Sequence, residues 1–185
     1  MSYKSILLAL FLSCGWSVST AQTIESLTER FNSILNSRIH DSLVVNFSEL
    51  EKMESDAEYN REPLNIRGAY TGYQCADIYK YSVSLSASLN GFSSNILMFA
   101  MGMAYSEDSA TLKKIDQPYG ELMTATQKAI ENLEVLKSIS KIYDMQDDEM
   151  SSFHFEKLKE GFNDLNANLK AMENSLKAVT EIMDK

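Results

Sequence analysis

Few residues of this chain have types and spacings that could do chemistry. Residues 96–103, ILMFAMGM, place Met98, Met101 and Met103 within six positions. Thioethers are soft donors that suit Cu(I), which makes these three the first candidates. On a helix, Met103 lines up with Ile96 and Phe99, whereas Met98 and Met101 share a second face with Ser94 and Tyr105. Three thioethers on those two faces do not converge on one ion; at most Met98 and Met101 offer two ligands, with help from another helix. Methionine also fills irregular cores, and the chain carries ten. Packing is the expectation, and no metal site is assigned.

Catalytic constellations are missing from the sequence. The two histidines, His40 and His154, stand outside any Glu-x-x-His pattern of the kind that builds di-iron bundles, and read as surface residues. No Cys-x-x-Cys-His exists for haem attachment. Gly91-Phe-Ser-Ser-Asn lacks the second glycine of a nucleophile elbow, and no glycine-rich loop is available to cradle phosphate. The run from Asp144 to Glu149 lacks the alternating oxygen ligands and central glycine of a calcium loop. A protein without enzymatic activity and without a cofactor is expected.

What remains is acid. Glu54, Asp56, Glu58 and Glu62 crowd one short stretch, and Asp144, Asp147, Asp148 and Glu149 another. Carboxylates in the last turn of a helix oppose its dipole at about 0.3–1 kcal/mol each, so helix stability does not explain Glu54, Asp56 and Glu58. Whether the two clusters act together depends on the elements that carry them.

Those elements are helices. Phe155, Leu158, Phe162, Leu165, Leu169, Met172, Leu176, Val179 and Met183 alternate spacings of three and four, the stripe of a helix packed lengthwise on neighbours. The same alternation through Leu85, Leu89, Phe92, Ile96, Phe99 and Met103, extended back through Ile78 and Cys75, predicts one helix over 64–105. Leu112, Ile115, Tyr119, Leu122, Ala129, Leu133 and Leu136 predict a third, with a kink or restart at Pro118 and Gly120 and a main body over 119–145. The first segment runs through Ile24, Leu27, Phe31 and Ile34 and changes phase near His40 to Ser42, where a bend or short break is expected. It resumes at Leu43, Phe47, Leu50 and Met53. Connections at 60–63, 106–109 and 147–152 are short, which makes successive helices antiparallel neighbours. The expected fold is all-α, an up-down-up-down antiparallel four-helix bundle with long helices. In that topology both acidic clusters meet at one pole, where Lys52, Arg61, Arg67 and Lys141 are the only offsetting cations read from the sequence. Tyr59, Tyr70, Tyr73, Tyr79 and Tyr81 gather at the same end, most of them half-buried with their hydroxyls at the rim, although an exposed pair could anchor a partner.

The stretch Ser82–Ser106 has 25 residues and no charge, yet it contains six serines between Ser82 and Ser94. That dilution favours a buried central helix over a membrane span, although small residues at four-residue spacing permit close helix approach.

Composition bounds the rest. The chain has 185 residues, 44% apolar and 23% charged, with seven Gly and two Pro, as expected of one helical domain. Residues 1–21 read as a secretory signal peptide: Lys4 is the basic start, Ile6 to Leu12 the apolar run, and Ser19-Thr20-Ala21 the cleavage site. The single domain then covers 22–185. Lipoprotein anchoring through Cys14 is the weaker alternative, because Phe11 and Leu12 fit its pattern poorly. Cleavage leaves Cys75 as the only thiol, expected to be buried and inert. The formal net charge of −9 excludes nucleic acid as a ligand, since that binding neutralises phosphates with Lys and Arg.

The reading that follows is a periplasmic or secreted binding protein of inhibitor, immunity or accessory type. It is not integral to a membrane after cleavage, and self-association is left open. It recognises a basic protein partner through Glu54, Asp56, Glu58, Glu62, Asp144, Asp147, Asp148 and Glu149. The alternatives are a periplasmic copper or cofactor carrier and a membrane-active helical protein.

Overall fold

The computed structural model describes residues 23–106, 109–144 and 149–184. The expected signal peptide, Cys14, Asp147 and Asp148 lie outside them. The described residues are helical apart from short connections, with no strand among them. In chain order the helices are α1 (Ile24–Leu35), α2 (Arg38–Ser55), α3 (Leu64–Ser106), α4 (Ser109–Tyr143) and α5 (Ser152–Met183), with a 3-10 turn at Tyr59–Arg61 between α2 and α3.

Local chemistry sets the ends of these helices. Thr23 accepts from the Ser26 amide, Ser37 from the His40 amide and Ser151 from the His154 amide, each satisfying a donor the first helical turn leaves free. Pro63 supplies the carbonyl that takes the Ile66 and Arg67 amides at the start of α3.

Two expectations need correction here. The break in the first segment falls at Asn36 and Ser37, ahead of the 40–42 stretch. The Asn36 and Ser37 amides close back on Asn32 and Ile34, and Ser37 then caps the next helix. Hydropathy registered the change late because the first buried residue of α2 is Leu43. Pro118 does not restart α4, which runs unbroken through it. Buried Ile115 and Leu122 on either side hold that stretch against the core, which offsets the backbone hydrogen bond a proline cannot donate.

The core is a single cluster drawn from all five helices. α3 packs on α4, α4 on α5, α1 on both α3 and α5, and α2 on α3. Phe47 of α2 stacks on Phe162 of α5, with ring centroids 4.2 Å apart, and Phe31 of α1 meets Phe92 of α3 at 5.5 Å. Every position of the α5 stripe from Phe155 to Val179 is buried.

In α3 and α4 the stripes pass through polar residues. Ser82 stands between Ile78 and Leu85, Thr126 between Leu122 and Ala129, and Ser140 between Leu136 and Tyr143, all buried. Thr126 and Ser140 return their hydroxyls to carbonyls one turn back, at 2.7 and 2.5 Å. Ser82 has no such bond. Half-buried Ser84 and exposed Ser94 in the uncharged stretch use the same device, bonding the carbonyls of Lys80 and Asn90. No described helix is long and apolar enough to cross a membrane.

Candidate functional site

The two acidic connections come together at one end of the molecule. α2 ends at Ser55, and Asp56 turns the chain by accepting the Glu58 and Tyr59 amides on Oδ1, at 2.7 and 3.3 Å. Asn60 donates its side-chain amide to the carbonyls of Glu54 and Asp56, at 3.1 and 2.8 Å, closing the end of α2. The Tyr59 hydroxyl donates to the Arg67 carbonyl at 2.9 Å and lies 2.6 Å from Thr71 Oγ1, which pins the 3-10 turn to α3. Asp56 therefore has a local structural use that the sequence reading did not grant it: it shapes the loop carrying the other acids.

Arg67 links this loop to the second connection. Its Nε donates to the Glu62 carbonyl at 3.1 Å, and its guanidinium pairs with Glu149. On the far side of that connection, Tyr143 Oη lies 2.7 Å from His154 Nδ1 and accepts the Ser151 amide at 3.2 Å. His154 is thus half-buried and bonded, where the sequence suggested a surface residue. Asp144 is half-buried, with Lys141 at 3.8 Å.

Of the four cations named from the sequence, Arg67 and Lys141 stand beside acids, Lys52 and Arg61 form no ion pair among the described residues, and one further cation joins them. Lys159 of α5 stands 4.0 Å from Glu51, and its spacing along the chain had given no sign of that. With Arg67, Lys141 and Lys159 each beside one acid, no ion pair forms at Glu54, Glu58 or Glu62 among the described residues. Lys141 also lies over the Tyr79 ring at 4.7 Å.

Aromatic and aliphatic surface surrounds the acids. Tyr59, Tyr79 and Tyr81 are half-buried, and Tyr70 and Tyr73 form an exposed pair, Tyr73 at 69%; Phe153 is 66% exposed, and Leu64 and Ile142 are exposed too. Tyr70, Tyr73, Ile142 and Phe153 fall off the heptad stripes, whereas Leu64 lies on the α3 stripe and is exposed as its first residue.

Between the clusters lies a cavity of about 70 Å³ bounded by the end of α2, the 3-10 turn, Thr71 of α3 and residues 149–155. Glu54, from the last turn of α2, and Glu149, from the connection before α5, both line it. Burial raises the Tyr59 phenol above its ordinary value, opposed by the hydrogen bond with Thr71. Cys75, one turn further along α3, is fully buried; burial, aided by the charge of Asp144, pushes its thiol up to about 12. A thiol held protonated there is no nucleophile.

The other candidates disperse. Met98 is exposed, Met101 half-buried and Met103 in the core. No group of three or more His, Cys, Asp or Glu side chains arranged to hold a metal occurs among the described residues. A larger open groove of about 700 Å³ runs between α4 and α5, lined by small residues such as Gly120, Ala171 and Ala178 beside Asp116, Glu121 and Lys128.

These features define an all-helical bundle protein with an acidic, aromatic-rimmed end. The chain matches no family model, no curated protein and no solved structure.

Proposed function

We propose that this is an extracytoplasmic binding protein without enzymatic activity, an up-down-up-down antiparallel bundle whose acidic pole recognises a basic protein partner. The observation that carries the reading is that Glu54 and Glu149, 95 positions apart in sequence, line one cavity. The antiparallel arrangement draws support from paired contacts: Glu49 with Gln74 and Phe31 with Phe92 run in opposite directions along the first segment and α3. Glu51 with Lys159 and Phe47 with Phe162 do the same along α2 and α5.

Carboxylates left without counter-ions attract a cationic surface over a range of about one Debye length, some 8–10 Å at physiological salt. Exposed Tyr70, Tyr73 and Phe153 beside them offer the rigid aromatic anchors that dominate most interfaces. Acids and aromatics together suit a protein surface better than a small anion or a nucleic acid.

The test is native mass spectrometry of the protein recovered from its own compartment, run in parallel on a variant with Glu54, Glu58 and Glu149 changed to Lys. A stoichiometric basic protein on the natural chain and none on the variant is the expected result. A partner retained by the variant, or bound copper in place of a protein, overturns the reading.

A further inference from the structure

We infer that the cavity at the acidic pole is a socket for one primary ammonium group, the side chain of a lysine on the basic partner. This deepens the function proposed above and rests on it.

Size comes first. A volume of about 70 Å³ is far less than the several hundred of a small-molecule pocket. It exceeds the roughly 10–15 Å³ that one water needs, so it suits a slender side-chain tip. The walls match such a tip. Leu50 and Phe155 are buried at its base, and Met53 and Met150 are half-buried beside them, flexible thioethers able to close on a methylene stem.

The polar atoms match it as well. Asn60 spends its amide nitrogen on the Glu54 and Asp56 carbonyls. The Tyr59 proton goes to the Arg67 carbonyl, so the short contact with Thr71 is donated by Thr71, whose oxygen keeps an acceptor lone pair.

Charge decides the ligand. No lining residue is cationic. Arg67 neutralises Glu149 from outside the lining, and Glu54 has no ion pair among the described residues. Glu54 and Glu149 are both solvent-exposed, and beside one resident guanidinium they leave a net charge of −1 at the cavity, which one monovalent cation matches. A compact ammonium with three donors fits the narrow space, whereas the planar fork of arginine needs a wider, bidentate site.

The test uses blocked lysine and arginine hexapeptides as probes, titrated calorimetrically into the purified chain at low salt. Helicity of each variant is checked by circular dichroism. Glu54→Gln is expected to weaken the lysine peptide by about tenfold or more, and Glu58→Gln, the same charge loss outside the cavity, by less than about threefold. Glu54→Asp keeps the charge but shortens the reach, and is expected to lose about fivefold, while arginine peptide binds the unaltered chain several-fold more weakly than lysine peptide. Equal losses at Glu54 and Glu58, or full binding by Glu54→Asp, overturn the socket and leave the acidic pole standing as a diffuse surface. If neither peptide binds the unaltered chain, the pole reading and the socket both fall.

Discussion

The guanidinium of Arg67, in the first turn of α3, pairs with the carboxylate of Glu149, 82 positions later, just before α5. The pair ties the two acidic connections together, and a second bond from Arg67 to the Glu62 carbonyl anchors it. Most of the Arg67 side chain is covered, but Glu149 is partly solvated, so the ion pair itself contributes modestly.

Arg67→Ala is therefore expected to lower stability by about 1–2 kcal/mol, combining the pair with the lost backbone bond. The denaturant midpoint should fall with an unchanged slope, and part of the difference should vanish in about 1 M salt, where the Debye length shrinks to about 3 Å.

Phe47→Ala removes the face stacked on Phe162 and leaves a hole between α2 and α5. A loss of about 3–5 kcal/mol is expected in equilibrium unfolding. Val45→Ala, two residues away on the exposed side, should stay within about 0.5 kcal/mol.

Pro118 sits inside α4 without an amide to give the preceding turn. Pro118→Ala is expected to stabilise the protein by about 1–3 kcal/mol, read as a higher thermal midpoint. A loss of stability would mean that the packing around Ile115 and Leu122 needs the local geometry that proline imposes.

Ser82 occupies a stripe position with its hydroxyl buried and unpartnered. Ser82→Ala removes that hydroxyl and adds helix propensity, for a gain of about 1 kcal/mol in chemical denaturation.

Cys75 predicts an alkaline limb. Its thiol is raised in the folded state from 9.0 to about 12, so folding favours the protonated form. That contribution is complete below pH 9 and is lost as pH climbs toward 12. Tyr59 and Tyr119, also raised by burial, act in the same direction. Stability measured between pH 9 and 12 should fall less steeply in Cys75→Ala than in the unaltered chain. Alkylation of the native thiol at pH 8 should be slower than in denaturant by about a hundredfold or more, because the thiolate forms only through opening.

The helices were legible because their signals are local. The α5 stripe from Phe155 to Val179 is buried throughout, and α3 runs to Ser106, one residue past the expected limit. The misreadings also have local causes. An apolar-only pattern skips Thr126 and Ser140, because the sequence cannot weigh a carbonyl one turn back as a partner for a buried hydroxyl, and it skips Ser82, which is buried without any partner. Asp56 looked like one more acid against a helix dipole, since its acceptance of the Glu58 and Tyr59 amides depends on the chain turning there.

Hydropathic period, caps and charge load act within a turn or two of helix, so the order of residues alone determined four helical segments, the first with a bend or break, and the placing of acids at two of their connections. Which acids keep a counter-ion was decided only by tertiary structure. Lys159 reaches Glu51 and Arg67 reaches Glu149 because of how α2, α3 and α5 slide into register along the core, a long-range property that no local pattern specifies. The cavity shared by Glu54 and Glu149 exists for the same reason: packing of Leu50 and Phe155 at it brings the end of α2 and the start of α5, remote in sequence, to a common edge.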